Sequence, residues 1–270
     1  MKEKKYIGID YHFHPNLPKG ERSAEEKIRE DYRRFLQNDV KAVIVTEHVY
    51  KSPSEAYSFM VRFRPRNFYV FPGMEYVTRE GLDIVIFSDS ERIYHYKELV
   101  PFKLTYEETI FFVKKKNLYA YVTHPFTLGT TSVYKKMGAS FTKKTIRELG
   151  AVEEEYTGFS ELKHVLNHPV LSVLFKKIIK EISWNEHVPM RYRPEKIRFI
   201  ATGSDAHFSW DIGTHMRIAV HQPHVTRRDV FKLLTSNRVL DVVRRHQTTF
   251  FEKLIDLAIV FKEHMAKIEL

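Results

Sequence analysis

The sequence lacks cysteine altogether, and this absence removes several kinds of chemistry. A disulfide scaffold, a thiol nucleophile, a cysteine-ligated zinc site and an iron–sulfur cluster all require cysteine. Any metal bound by this chain must therefore be held by histidine nitrogens and carboxylate oxygens. The composition allows such a site, because the chain has 14 histidines and 34 aspartates and glutamates.

Glycine and proline are also scarce, at 10 and 11 of the 270 residues. There is no Gly/Ser-rich linker, low-complexity tract or internal repeat, so we expect a single domain over residues 1–270. Long hydrophobic runs are missing too, since no stretch approaches the roughly 18 apolar residues that a membrane span needs. The basic start at Met1–Lys5 resembles the head of a signal peptide, but Asp10 interrupts the apolar segment that should follow. These features predict a cytoplasmic protein that does not enter the membrane.

Lys and Arg outnumber Asp and Glu by 44 to 34, which gives a formal net charge of +10. A surplus of this size indicates anionic substrates or partners, such as phosphorylated small molecules, nucleotides or nucleic acid. The basic residues are spread along the whole chain and not gathered in an arm or tail, which is equally typical of a solvated surface. The sequence indicates no oligomeric state.

Short β-branched and apolar runs alternate with helical patterns, which predicts an α/β fold with a parallel sheet. The predicted strands are Tyr6–Tyr11, Ala42–Thr46, Phe68–Met74, Asp83–Phe87, Leu118–Thr123, Ala151–Tyr156 and Arg198–Ala201. An open doubly wound sheet and a closed barrel share this alternation, so periodicity leaves both architectures open.

Capping-box patterns that begin at Ser23 and Thr105 predict helices running to about Asn38 and Lys116. Further helices are predicted at Thr142–Leu149, Ser160–Leu166, Pro169–Ile182 and Thr226–Ser236. After the last motif we expect a C-terminal extension over about 215–270, with a short strand at Arg217–Val220 and a long helix from about Thr248.

The first predicted strand ends in Asp10-Tyr-His-Phe-His14, where strand alternation places His12 and His14 on the same face. Two imidazoles so placed can bind one metal ion, although a lone pair of this kind is more often an exposed edge feature. All seven predicted strands carry His, Asp or Glu at or next to an end, and for six of them it is the carboxyl end. This joint pattern favours a metal site assembled from several strand ends.

The motifs HFHP, TEH, PGME, THP and GSDAH follow one another between residues 10 and 207. In this order they resemble the motifs of the polymerase and histidinol phosphatase (PHP) superfamily. The resemblance implies a distorted, TIM-like, seven-stranded (β/α)7 barrel, with two or three divalent ions at its carboxyl-end face. Zn²⁺, Mn²⁺ or Fe²⁺ would suit the available imidazoles and carboxylates.

The resemblance also assigns roles to individual residues. It implies eight metal ligands, which are His12, His14, His48, Glu75, Asp83, His124, Asp205 and His207. The first ion is held by His12, His14, Asp205 and Glu75, and the second oxygen of Glu75 bridges to a second ion. His124 binds that second ion, and the other two histidines, His48 and His207, bind a third.

The chain departs from the family on the fourth strand, where a histidine ligand of the second ion is usual. Aligning Ser88 with the glycine that commonly closes that strand puts Asp83 at the ligand position, and a carboxylate is a chemically adequate replacement. A slip of one residue would place Leu82 there and leave His95 as a weaker substitute. On the second strand, Glu47 stands where an aspartate is common, and we interpret it as a group that orients an imidazole.

A second departure follows HFHP, where many members have an Asp or His that completes the shell of the third ion. Here Asn16 is a poor ligand and Glu21 is a usable one. Lys19 or Arg22 in the same segment would instead offer a cation to a substrate phosphate, and Arg193 is a further candidate for this role.

The implied function is hydrolysis of a phosphate monoester of a small molecule or nucleotide by a metal-activated hydroxide. Asp205 or His207 is expected to relay a proton to the departing alkoxide. Two alternatives stay open. One is a phosphodiesterase or nuclease acting on nucleic acid, which the positive charge favours. The other is a metal-binding regulatory module that has lost turnover.

Overall fold

The computed structural model describes residues 5–126, 132–156, 197–220, 225–236 and 241–243, together with Val173. The strands are β1 (Lys5–Phe13), β2 (Val40–Val45), β3 (Tyr69–Val77), β4 (Asp83–Phe87), β5 (Tyr119–Val122), β6 (Ala151–Tyr156), β7 (Phe199–Gly203), β8 (His215–Val220) and β9 (Asp241–Val243). The α-helices of the described part are α1 (Glu21–Gln37), α2 (Pro53–Arg62), α3 (Tyr106–Lys115), α4 (Val133–Leu149) and α5 (Arg227–Ser236). Short 3₁₀ helices occur at Glu91–His95 and Ser209–Asp211.

The nine strands form one mixed sheet in the order β7-β6-β5-β4-β3-β2-β1-β8-β9. β4 runs antiparallel to β3 and β5, and β8 runs antiparallel to β1 and β9, whereas the other neighbours are parallel. The prediction of a TIM-like, seven-stranded (β/α)7 barrel is therefore wrong. The reason is local, because only residues 78–82 separate β3 from β4, and a parallel crossover needs a much longer connection.

The part of the sheet formed by β1–β7 is nearly closed, because its two outer strands, β1 and β7, approach each other. The backbone N–H of His14 donates to the carbonyl of Ala206 at 3.0 Å, and the N–H of Asp205 donates to the carbonyl of His12 at 2.8 Å. Gly203 makes this approach possible, since a Cβ atom there would lie 2.4 Å from the backbone nitrogen of His12. β1 thereby packs against β7, and the carboxyl ends of these two strands lie at the same edge of the sheet.

Alternation along the strands divides the buried residues between two hydrophobic clusters. On β2, Ala42 and Ile44 belong to the larger cluster, whereas Val43 and Val45 pack with residues of α1 and α2. This is the period of two expected for a strand that is buried on both faces. None of the described helices has the length and apolar character needed to cross a membrane.

The predicted elements agree with the structure to different degrees. β4 has the predicted bounds, and the capping box at Thr105 is confirmed, because its hydroxyl and the Glu108 carboxylate each accept a backbone N–H of the other residue. The capping box at Ser23 is wrong, since α1 begins at Glu21 after Gly20, whose φ of 95° turns the chain into the helix. α4 begins nine residues before the predicted Thr142, and β9 was not predicted. The helices predicted within 160–182 and from Thr248 lie outside the described residues, except for the helical Val173.

Candidate metal centre

The eight side chains predicted as metal ligands converge at one edge of the sheet. This edge holds the carboxyl ends of the mutually parallel strands among β1–β7, together with the amino end of the reversed strand β4. The side chains form three groups, whose members are His12, His14 and Asp205; His14, His48 and His207; and Glu75, Asp83 and His124. Within each group, one nitrogen or oxygen of every residue lies within 4.8 Å of the others.

The first group has the spacing of ligands around one ion. His12 Nε2 lies 3.0 Å from His14 Nε2, and Asp205 Oδ1 lies 3.4 and 3.3 Å from these two nitrogens. Ligand atoms at tetrahedral positions with 2.0–2.2 Å bonds are separated by about 3.3–3.6 Å. Two of the three separations agree with this spacing, and the one between the two imidazole nitrogens is shorter. The residues present fit a divalent ion, and imidazole and carboxylate donors together suit Zn²⁺, Mn²⁺ or Fe²⁺.

Glu75 belongs to the group with Asp83 and His124 and also faces the other two groups, because its two oxygens lie near different histidines. Oε1 lies 3.2 Å from His124 Nε2 and 3.7 Å from His12 Nε2, whereas Oε2 lies 2.7 Å from His48 Nδ1 and 3.6 Å from His14 Nε2. The side chain is almost fully buried. A carboxylate in this position is suited to bridge two ions, which is the role that the family resemblance implies for it.

Asp83 reaches the same edge because β4 is reversed. It opens the strand opposite Val77, so its side chain joins Glu75 and His124 at the carboxyl end of β3. Leu82 instead belongs to the hydrophobic core, and His95 is exposed in a 3₁₀ helix. Of the three residues considered as this ligand, Leu82, Asp83 and His95, the geometry favours Asp83.

The second group, of His14, His48 and His207, consists of imidazoles only. The ring of His14 stacks on that of His207 with centroids 4.4 Å apart, and its centroid also lies 4.4 Å from that of His48. Burial and the neighbouring rings of His14 and His48 hold the pKa of His207 well below its ordinary value. His207 is therefore neutral near pH 7, which leaves a nitrogen lone pair available to a metal.

Charges inside the site shift the pKa values of the other groups. Burial opposes protonation of His14 and His124, but the surrounding carboxylates outweigh it and raise the pKa of His14 to about 10 and that of His124 to about 9. Burial likewise opposes ionisation of Glu75 and Asp205, yet the facing histidines hold the pKa of both carboxyls below the ordinary range. Without metal, protons on the histidines thus balance the buried carboxylates.

Three polar residues that support the site were not assigned this role from the sequence. Asp10 accepts hydrogen bonds from the backbone N–H of His12 and of Ser204, both at 3.0 Å, and from the Ser204 hydroxyl at 2.6 Å. Burial raises the pKa of Asp10 to about 7, against the opposing effect of these bonds. Glu153 on β6 contacts His12 and His124. The signal was the position of both acids at strand ends.

Glu47 binds the backbone of the segments that follow β1 and β2. Its oxygens accept the backbone N–H groups of Asn16 at 2.6 Å and His48 at 3.1 Å. Glu47 Oε1 lies 3.7 Å from His14 Nδ1, beyond hydrogen-bond distance. Glu47 therefore holds the segments after β1 and β2 and acts on His14 through its charge.

The cations predicted to contact substrate do not lie among the ligand groups. Lys19 and Arg22 are exposed near the start of α1, where Arg22 pairs with Glu26 at 3.1 Å. Glu21, considered as a ligand of the third ion, pairs with Arg62 at 2.6 Å. Arg193 lies outside the described residues.

Lys51 is a cation at the site that the sequence interpretation missed. Its Nζ donates to Asn16 Oδ1 at 2.9 Å and lies 3.9 Å from Glu47 Oε1. Its charge also reaches His207, whose pKa it helps to lower. The feature of the sequence that could have indicated Lys51 is its position three residues after His48.

Comparisons with known proteins identify a fold neighbour and no family. No family model matches the chain, and no curated protein matches it. Among solved structures, PsfC from Pseudomonas syringae PB-5123 is similar, with a TM-score of 0.56 over 97% of this chain and 99% of that chain. The two sequences are 14% identical over this alignment, so the likeness concerns the fold.

Proposed function

We propose that this protein is a metal-dependent phosphoesterase of the PHP superfamily, which hydrolyses a phosphate monoester of a small molecule or nucleotide. The observation that carries the proposal is the convergence of all eight predicted ligands in three groups, one of which has three ligand atoms within 3.0–3.4 Å of one another. Side chains from the ends of six strands meet there, although these residues are spread over almost 200 positions of the sequence. The expected location in the cytoplasm belongs to the same proposal.

Two or three divalent ions held by these residues would supply Lewis acidity toward phosphoryl oxygens and would lower the pKa of a bound water. The protein itself provides the arrangement of charge. His12 and His14 are fully buried, whereas the side chains of Asp205, His207 and His124 are exposed by 20, 13 and 11%. Substrate therefore approaches from the side of Asp205.

Asp205 and His207 are also the residues expected to relay a proton. The histidines around Asp205 keep it ionised, and the low pKa of His207 keeps that ring neutral near pH 7. Both are thus in the form that binds metal. The single lone pair of a neutral imidazole cannot bind an ion and accept a proton together, whereas a carboxylate that binds through one oxygen keeps its other oxygen to accept a proton. Proton donation to the leaving alkoxide stays a prediction.

Lys51 supports an anionic substrate. Asn16 holds its ammonium group beside Glu47, where it is only partly exposed. An ammonium group at the rim of a carboxylate-rich centre offsets negative charge where a phosphate would enter. We assign to Lys51 the substrate contact that was predicted for Lys19, Arg22 or Arg193.

The test is phosphate release from a panel of small phosphomonoesters and nucleotides, with a single-stranded oligonucleotide in parallel. Chelator-treated full-length protein is assayed before and after addition of Mn²⁺ or Zn²⁺, with His12→Ala as the inactive comparison. Metal-dependent release from a monoester, lost in His12→Ala, is the expected result. Metal-dependent release that persists in His12→Ala would contradict the assignment of the site.

The charge of +10 favours one alternative, a phosphodiesterase that acts on nucleic acid. Cleavage of the oligonucleotide alone would establish it, and binding should then weaken steeply as salt is raised. Bound metal without turnover of any ester would indicate a regulatory module. Loss of turnover would follow from substitutions at Asp83 and near Gly20 that leave the site incomplete, and the position of Asp83 beside Glu75 and His124 argues against the first of these.

A further inference from the structure

Glu153 is a buried carboxylate whose two oxygens both have partners at the metal centre. Oε1 lies 2.9 Å from His12 Nδ1, and Oε2 accepts a hydrogen bond from the backbone N–H of His124 at 2.8 Å. His12 lies on β1 and His124 follows β5, and these two strands are not neighbours in the sheet. One carboxylate on β6 therefore connects two different ligand groups.

The contact with His12 determines which ring nitrogen faces the other ligands. A carboxylate only accepts hydrogen bonds, so Oε1 requires a proton on His12 Nδ1. The lone pair of Nε2 is then free to bind a metal, and Nε2 is the atom that lies close to His14 and Asp205. Glu153 thus selects the tautomer that a metal at this position needs.

The contact with His124 holds an uncommon backbone conformation. The φ angle of His124 is 25°, toward the left-handed region that residues other than glycine seldom adopt. In this conformation His124 Nε2 reaches within 3.2 Å of Glu75 Oε1. The hydrogen bond to Glu153 stabilises the backbone that directs His124 into its group.

We propose that Glu153 is a positioning residue for two metal sites at once, through the ring of His12 and through the backbone of His124. The inference rests on the proposed metal centre and adds a residue outside the eight predicted ligands. It follows that one substitution at Glu153 should weaken the binding of two ions, although the residue itself contacts neither.

Glu153→Ala removes both contacts, whereas Glu153→Gln keeps the size of the side chain and removes one of them. A glutamine has one acceptor oxygen and one donor amide group. If its oxygen faces the N–H of His124, its NH₂ faces His12 Nδ1, which must then give up its proton to Nε2. If the amide is reversed, two donors meet at His124. Either orientation keeps one contact and loses the other.

The experiment is titration of chelator-treated, full-length protein with Co²⁺, followed by visible absorption and by competition with a chelator. Glu107→Gln on α3, where Glu107 is exposed and pairs with Lys144, is the matched control. We expect affinity to fall about 10- to 100-fold for two Co²⁺ equivalents in Glu153→Ala and for one equivalent in Glu153→Gln, with an altered absorption spectrum, and to stay unchanged in the control. Unchanged affinity for either equivalent in Glu153→Ala would overturn the dual role while leaving the metal centre intact. Failure of the wild-type protein to bind Co²⁺ would instead reject the proposed function and, with it, this inference.

A measurement on the wild-type protein decides the matter even if neither Glu153 variant folds. Long-range ¹H–¹⁵N spectra of the Zn²⁺-loaded protein, assigned with His12→Ala, report which nitrogen of His12 is protonated. A proton on Nδ1 is expected. Coordination of the metal through Nδ1, or a proton on Nε2, would overturn the proposal.

Discussion

At the scale of single residues, Gly203 shows how closely β7 must approach the first metal ligand. A methyl group there would lie 2.4 Å from both the backbone nitrogen and the Cβ of His12. Gly8 has an equally close neighbour, the carbonyl oxygen of Asp39, which lies outside the ligand groups. The two glycines therefore form a matched pair of packing sites.

We predict that Gly203→Ala and Gly8→Ala each lower the free energy of unfolding by about 1–3 kcal/mol, because overpacking forces the backbone apart. Only Gly203→Ala should also weaken metal binding, since it displaces His12. Urea denaturation and metal titration of both variants test this. Equal metal affinities in the two variants would contradict the placement of His12 against β7.

Protons on His14 and His124 compete with metal, because their pKa values are raised to about 10 and about 9 from an ordinary value of 6.5. We predict that metal binding near pH 7 releases protons, and that affinity rises with pH up to about pH 9–10. Calorimetry in buffers of different ionisation enthalpy measures the release. Binding enthalpies independent of the buffer would contradict the prediction.

The same raised pKa values affect the metal-free fold. A histidine with a raised pKa stabilises the folded state where the ring is charged, so this contribution is complete below pH 6.5 and is lost as the pH rises through about 9–10. The melting temperature of the metal-free protein should therefore fall over this interval, and added metal should reduce the dependence.

Substitution of Lys51 tests whether the site binds the negative charge of a substrate phosphate. We predict that Lys51→Met lowers kcat/KM for a phosphomonoester about 10- to 100-fold, the effect of losing a charge-assisted hydrogen bond of about 1.5–3 kcal/mol. Metal content should not change. Lys41→Met, at an exposed position of β2, serves as the control. An equal effect in both variants would point to general surface charge.

At the scale of elements, the reversal of β4 explains why one predicted strand carries its acidic residue at the amino end. Asp83 opens this strand and reaches the edge where the parallel strands β3 and β5 end. The sequence shows Asp83 in the right place, but alternation of strand and helix suggested a parallel strand. The short connection over residues 78–82, with Gly81 at a φ of 73°, was the signal of a hairpin.

We predict that Asp83→Ala loses about one bound ion, because Glu75 and His124 alone leave that group with two ligands. Asp83→His should retain the ion, since an imidazole is an equally suitable donor. Elemental analysis of the two variants distinguishes these results. Full metal content in Asp83→Ala would show that Asp83 is not a ligand.

Local patterns predicted elements well where a single interaction decides the conformation. The capping box at Thr105 depends on two nearby hydrogen bonds, and the strand at Asp83–Phe87 is a short run of apolar residues. At Ser23 the pattern was present but the helix starts earlier, because the backbone of Gly20 supplies the turn. Helix propensity alone could not distinguish a helix start at Ser23 from one at Glu21.

At the scale of the whole molecule, the sequence predicted which side chains converge better than it predicted the architecture that carries them. Strand-end acids and histidines converge whether the sheet is a regular barrel or a mixed one, because six of the seven predicted strands do run parallel. The nine-stranded order depends on long-range pairing of β8 and β9 beside β1, which no local pattern specifies. The contact of β1 with β7 likewise depends on Gly203, whose importance is visible only in three dimensions.

The central claim is that these strand ends build a metal centre, and its most direct test is the number of ions bound per chain. Elemental analysis of full-length protein, purified without chelator and supplemented with Zn²⁺ or Mn²⁺, should give two or three ions per chain. His12→Ala should hold at least one ion fewer while remaining folded by circular dichroism. A wild-type protein that holds less than about one ion per two chains would contradict the account.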